Sequence, residues 1–188
     1  FTINTNVYVC GVYDLCHIGH MRSFENALKL GTRLYVGVSN DEDCTEYKRR
    51  PIMITKKGPS PPLPNSPSFF NSISYLTILL IDRCEAVAAC KYVHKVIPNA
   101  PLLSPTEFLL KHNIHVVGLS EVPISYPHNN PARNCSLYFV GYDRQDDIYY
   151  ADARKMGIAK TLPRTQGMST SELIRRIKEY DTRKIGEK

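Results

Sequence analysis

Two short stretches hold the residues whose types and spacing could do chemistry. From Gly11 to His20 the chain reads Gly-Val-Tyr-Asp-Leu-Cys-His-Ile-Gly-His. His17 and His20 lie three apart around Gly19, a spacing that sets both imidazoles on one side of a first helical turn. Glycine lets a phosphate approach the backbone closely, and a helix start favours negative charge. Such a site could hold a triphosphate and stabilise the charge that builds on phosphorus under attack. Two other readings suit the same residues. One is a pair of structurally satisfied histidines. The other is zinc ligation by His17, His20 and Cys16, which lacks a second ligand pair of usual spacing.

The second stretch reads Arg164-Thr-Gln-Gly-Met-Ser-Thr170. A cation, Gly167 and two hydroxyls (Ser169 and Thr170) ahead of a helix make another anion cradle. A plain N-cap would explain Ser169 but not Arg164 and Gly167. Lys48, Arg49 and Arg50 form a charge run of the kind usually found on a solvated face, and Arg83, one residue into a helix, is by default a surface residue. The chain has no Walker motif and no G-x-G-x-x-G, so the commonest nucleotide cradles are absent.

Elements that would position these loops follow from periodicity and capping. Asn6–Cys10 reads as a buried strand, and His20–Leu30 as a helix with Met21, Phe24, Ala27 and Leu28 on one face and Gly31 at its C′ position. Strands are expected at 33–40, 94–98, 114–118 and 159–163. Asp82 with Glu85 forms a capping-box-like start for a helix over 83–93, and Ser104 with Glu107 another, with Pro105 at the first helical position. A helix over 146–156 should close at Gly157, and Ser169 with Glu172 should cap a last helix over 171–180. Strands alternating with helices predict an α/β fold: a Rossmann-like, five-stranded parallel sheet with helices on both faces. Ligands then bind at the carboxyl ends of the strands. The loops over 11–19, 41–50 and 164–170 should meet there.

The 188 residues carry 24 Lys+Arg against 18 Asp+Glu, a net charge of +6, and are 43% hydrophobic. That suits one globular domain and excludes a disordered or collagen-like chain. Charge is unevenly spread. Residues 58–81 contain no Asp, Glu, Lys or Arg, and residues 118–141 contain only Glu121 and Arg133. The domain is therefore read as 1–188, interrupted by two atypical blocks, 58–81 and 118–141. The apolar run from Phe69 to Ile81 is 13 residues, short of the roughly 20 a membrane span needs. No signal peptide opens the chain, and its start at Phe1 suggests a trimmed N-terminus. Six cysteines without a CxxC pair read as reduced thiols in a cytoplasmic protein. The positive charge suits anionic partners, but its basic residues are too scattered for a nucleic-acid-binding face.

A strand followed by H-x-G-H, together with R-T-x-G-x-S-T, resembles the cytidylyltransferases that make CDP-alcohols, within the wider H-x-G-H nucleotidyltransferase superfamily. The resemblance runs through VYVCGVYDLCHIGHMRSFENALKLGTRLYVGVSNDEDCTEYK, RCEAVAACKYVHKVIPNAPLLSPTEFLLKHNIHVV and DDIYYADARKMGIAKTLPRTQGMSTSELIRRI. It implies a nucleotidyltransferase fold and transfer of CMP from CTP to a phospho-alcohol, phosphocholine first and phosphoethanolamine second. Mg²⁺ is implied without a dedicated protein cage, and no residue is assigned as a metal ligand. By the same resemblance His17, His20, Lys48 and Arg164 are catalytic. Gly11, Tyr13, Gly19, Arg83, Gly167, Ser169 and Thr170 bind the nucleotide, and Asp14 and Tyr149 line the substrate side. Tyr149 would face the alcohol head group, where a quaternary ammonium suits an aromatic ring. A homodimer is implied, and membrane contact only through a segment outside this chain.

The chain departs from the family pattern in three places. Thr55-Lys56-Lys57 and the charge-free block replace an acidic lead-in to Arg83, Leu102 stands where the family has Trp, and Gly118-Leu-Ser-Glu121 opens the second block. A nucleotide-binding module without turnover is the competing class. The blocks are either translated non-coding sequence or surface loops atypical of the family. Sequencing the transcript separates these: non-coding origin predicts a message lacking both blocks, and a message containing both would exclude it.

Overall fold

The computed structural model describes residues 4–41, 52–53, 82–120 and 148–186. Five strands form one sheet: β1 (Asn6–Gly11), β2 (Arg33–Val38), β3 (Lys95–Pro98), β4 (Val116–Ser120) and β5 (Ala159–Leu162). All pairings are parallel and the order is β3-β2-β1-β4-β5. Helix α1 (Ile18–Leu28) joins β1 to β2, and residues 82–88 form α2 before β3. Helix α3 (Thr106–Lys111) precedes β4. A 3₁₀ turn (Ile148–Tyr150) leads into α4 (Ala151–Lys155), and α5 (Thr170–Gly186) follows β5. Among the described residues no helix is long and apolar enough to cross a membrane.

Alternating residues of β1 serve two cores, as a strand's two-residue side-chain period requires. Val7 and Val9 pack with Phe24, Ala27, Leu34, Val36 and Val87, on the α1 and α2 side. Tyr8 packs with Ile97, Leu109, Val117, Leu119 and Ala153, on the α3 and α4 side. The sheet is thus covered on both faces, as the alternation of strands and helices predicts. The strand order runs outward in opposite directions from β1, once through β2 and once through β4. The carboxyl end of β1 is therefore beside the topological switch point, where such sheets leave a crevice.

Several boundaries differ from those read in the sequence, each for a local reason. Strand β4 continues to Ser120, pairing Gly118, Leu119 and Ser120 with Lys160, Thr161 and Leu162. The lack of charge in 118–120 is that of a strand between β1 and β5, so these residues do not belong to an atypical block. The rest of that block (121–141), all of 58–81 and Lys48 lie outside the described residues. His94 and His115 are not in strands but extend the ladder with side chains. The N–H of Leu34 donates to His94 Nδ1 (3.2 Å) and that of Asn6 to His115 Nδ1 (3.0 Å).

Helix starts shift too. Asp82 is already helical rather than a cap, and α2 ends at 88, not 93. Pro105, not Ser104, is the N-cap of α3, and the capping oxygen comes from another helix. Asp152 Oδ2 accepts from both the Thr106 N–H (2.8 Å) and the Thr106 hydroxyl (3.0 Å). Lys29 is the C-cap of α1, and Gly31 has no positive φ. Gly31 is needed for close approach instead, since a Cβ there would lie 2.6 Å from the Thr5 carbonyl oxygen. Gly157 does close α4 in the left-handed conformation, at φ 70°.

Gly37 in β2 shows how tightly the second core is packed. A Cβ at this position would fall 2.3 Å from the Tyr8 hydroxyl and 2.7 Å from Ala100 Cβ. Neither neighbour is a flexible side-chain end, so the Gly37→Ala variant should be about 1–3 kcal/mol less stable, the usual penalty for overpacking. Chemical denaturation of the two proteins measures this, with the denaturant slope unchanged.

Candidate active site

The first loop reaches α1 through two residues in the left-handed region, Tyr13 (φ 52°) and Leu15 (φ 48°). Side chains rarely adopt that conformation without external constraint. Here the constraints surround the loop. Tyr13 is buried, its ring edge-on to His20 (5.3 Å between centroids) and tilted against Phe24 (5.1 Å). It covers Gly11, where a Cβ would lie 3.1 Å from the phenol ring. Leu15 N–H points at Met53 Sδ, 3.3 Å away.

His17 is the N-cap of α1, with a backbone that is extended rather than helical. Its Nδ1 accepts from the Gly19 N–H at 3.1 Å, and His20 Nδ1 accepts from the His17 N–H at 3.4 Å. The two thus close a capping box built from imidazoles, in which each ring satisfies a backbone donor that the helix start leaves unpaired. With both Nδ1 atoms accepting, the proton of each neutral ring sits on Nε2. The rings stack, 3.9 Å between centroids and 23° apart in plane. Gly19 permits this, because a Cβ would meet His17 Nδ1 at 2.9 Å and the Met168 carbonyl oxygen at 3.2 Å. Burial holds the His17 imidazole below its ordinary 6.5, so it is neutral at pH 7.

The Met168 contact brings in the last loop. Thr170 Oγ1 donates to the Asp14 carbonyl at 3.2 Å and lies 3.5 Å from His17 Nε2. Ser169 Oγ accepts from the Glu172 N–H at 3.1 Å, so Ser169 caps α5 as its sequence position suggests. The Glu172 carboxylate does not close the box; it pairs with Arg175 and Arg176. Gly167 takes φ 73°, which the turn into α5 requires, and it and Arg164 are exposed on this loop. The starts of two helices, α1 and α5, therefore meet over the carboxyl end of β1.

Three assigned residues occupy less expected places. Asp14 is only 4% exposed, and its oxygens accept from the N–H groups of Ile52 and Met53, each at 2.9 Å. Its carboxylate holds the 52–53 segment against the first loop. Arg83 is fully buried rather than superficial, donating to the Val12 carbonyl (2.8 Å) and paired with Asp41. Sequence reasoning passed over Asp41, whose signal was its place just past the end of β2. Tyr149 lies in the 3₁₀ turn, its carbonyl accepting from the Ser104 N–H at 3.2 Å. Its neighbour Tyr150 approaches β1 from the α3 and α4 side, with its hydroxyl 3.7 Å from Cys10 Sγ.

Among the described residues no three His, Cys, Asp or Glu side chains converge as metal ligands do. Cys16 packs against the core below α1, where burial pushes its thiol up. The loop places two imidazoles beside the start of a helix, a combination suited to an anion.

The cytidylyltransferase-like family profile matches residues 8–56, from the middle of β1 through the histidine loop and β2. Over this stretch the chain is similar to that family. It is 31% identical over 178 residues to choline-phosphate cytidylyltransferase from Saccharomyces cerevisiae, covering 93% of this chain and 32% of that protein. It is 33% identical to choline-phosphate cytidylyltransferase 2 from Arabidopsis thaliana, covering 93% and 45%. Against ethanolamine-phosphate cytidylyltransferase from Dictyostelium discoideum the identity is 29% over 175 residues, covering 91% and 36%. The chain spans less than half the length of each of these relatives. A solved lipopolysaccharide core biosynthesis protein from Thermoplasma volcanium superposes with a TM-score of 0.48 at 18% identity, covering 86% of this chain and 97% of that one.

The imidazole cap of α1 has a pH signature. Because the folded value for His17 lies below its ordinary 6.5, the fold disfavours the protonated ring. The resulting stability is fully present above about 6.5 and is lost as pH falls through the lower folded value. A nitrogen-detected NMR titration should place the His17 midpoint below 6.5 and show the Nε2–H tautomer at pH 7. A midpoint above 6.5, or an Nδ1–H ring, would contradict this geometry.

Proposed function

We propose that this chain transfers CMP from CTP to phosphocholine, giving CDP-choline and pyrophosphate, a step of phosphatidylcholine synthesis. One observation carries the reading: two stacked imidazoles whose Nδ1 atoms face backbone N–H groups at the start of α1, joined by Thr170 at the start of α5. Such a pair donates hydrogen bonds without taking a proton, which is what charge developing on a phosphorus centre requires. The choline-phosphate relatives, at 31% and 33% identity, support the choice of substrate.

In this reading a phosphate oxygen of phosphocholine attacks the α-phosphorus of CTP. The new P–O bond forms as the bond from the α-phosphorus to the bridging oxygen breaks, and pyrophosphate leaves with that electron pair. The nucleophile is already an anion, so the site needs no strong general base; its tasks are orientation and neutralisation. His17 and His20 serve the α-phosphate. Arg164, Gly167, Ser169 and Thr170 serve the remaining CTP phosphates, although Ser169 Oγ is also the cap of α5. Lys48 completes the set from outside the described residues. Mg²⁺ carried by the triphosphate would supply neutralisation of phosphate charge, with no residue of the chain assigned as its ligand. The Asp14 oxygens accept from the backbone N–H groups of Ile52 and Met53. A homodimer and a cytoplasmic setting belong to the same reading.

CTP-dependent pyrophosphate release, measured with phosphocholine and with phosphoethanolamine, tests the assignment. Release with phosphocholine is the expected result, and faster release with phosphoethanolamine would move the substrate to the ethanolamine series. CTP binding without release from either would leave a nucleotide-binding module. The His17→Ala variant should lose turnover but remain folded, since removing an N-cap costs about 1 kcal/mol. Near-normal turnover in that variant would refute the mechanism.

A further inference from the structure

We infer that Asp41 and Arg83 are positioning residues, which set the His17–His20 pair through the carbonyl of Val12. Only the kinetic part of this inference rests on the proposed CMP transfer. Arg83 carries a permanent charge on a side chain with no exposed surface, so its partners inside the protein are obligatory. Nη1 donates to the Val12 carbonyl at 2.8 Å, and Nη2 pairs with Asp41. Asp41 stands just past the carboxyl end of β2, and Arg83 in the first turn of α2. The pair therefore ties two neighbouring elements to one peptide of the first loop.

That peptide is the one ahead of Tyr13, where the chain enters its first left-handed residue. A contact series follows from there. The Tyr13 ring meets the edge of His20 at 5.3 Å, and His20 stacks on His17 at 3.9 Å. Moving the Val12 carbonyl moves Tyr13, and with it the plane against which both imidazoles are set. The guanidinium is turned into the protein with both Nη atoms bonded, an orientation suited to holding the loop rather than to reaching a triphosphate. Two residues further along the loop, Asp14 holds residues 52–53 by similar means, a buried side chain bonded to main-chain groups. The two devices hold neighbouring residues of the same turn.

The Asp41→Asn variant keeps a side-chain oxygen but removes the charge, and Arg83→Lys keeps the charge but not the fork. If the pair positions the imidazoles, each should lower kcat for pyrophosphate release by roughly 10- to 100-fold, the cost of a small misplacement at a reacting centre. KM for CTP should change by less than about 3-fold, and the double variant should be no worse than the poorer single one. The imidazole nitrogen resonances of His17 and His20 should shift in both variants. A rise confined to KM for CTP would make Arg83 a nucleotide contact and overturn the inference. So would unshifted imidazole signals, or loss of the fold in both variants. If the unaltered protein releases no pyrophosphate with either phospho-alcohol, the proposed transfer fails, while the NMR comparison still decides the positioning role.

Discussion

Helix α1 begins on an imidazole, His17, which the proposed transfer would use. His17 accepts the Gly19 N–H through Nδ1, and the same bond fixes which nitrogen carries the ring's proton. An Asp cap would satisfy the backbone but offer no donor, and a Ser cap would donate only from the same oxygen that accepts. The imidazole has two faces of function because its nitrogens are distinct: one is bonded to the helix and the other is left to donate. Everything near the loop follows from this bond. Gly19 must lack a Cβ for the ring to fold back, and the ring must stay neutral for Nδ1 to accept. The left-handed turns at Tyr13 and Leu15 deliver the chain to the cap at the necessary angle.

The sheet explains why the rest gathers there. With β1 at the centre, its carboxyl end is flanked by the ends of β2 and β4, and the loop after β5 closes over it. Charge is drawn in where the loop must be rigid. A buried carboxylate and a buried guanidinium are each expensive to desolvate, and each is offset here by hydrogen bonds to main-chain groups of the loop or its neighbours. These groups stabilise a particular backbone path, which purely apolar packing would specify less sharply.

Much of this was legible in the residues. Strand composition, helix periodicity and the alternation of the two gave the parallel sheet, because each signal is local. The approach of the 11–19 loop to the 164–170 loop followed from the rule that ligands bind at strand ends. Residues whose roles depend on distant partners were not legible. Asp152 caps α3 from another helix, which no nearby pattern could reveal, and so the local candidate Ser104 was preferred. Arg83 looked superficial because an arginine in a first turn usually is, and only the Asp41 contact shows why it is buried. The low charge of 118–120 was mistaken for an anomaly because a short buried strand and an uncharged insertion look alike over three residues.

The bond from Thr170 to the Asp14 carbonyl spans 156 positions, and the approach to His17 spans 153. A chain made from its N-terminus exposes both histidines early, and α1 can form around its own cap. The opposite wall of the site does not exist until α5 has been synthesised. Among the described residues the meeting of the two helix starts is thus a loop closure of long sequence separation, which carries a larger entropic cost than local contacts. Growing chains carry the two histidines well before they carry α5, so the two helix starts meet only once the later helix has emerged.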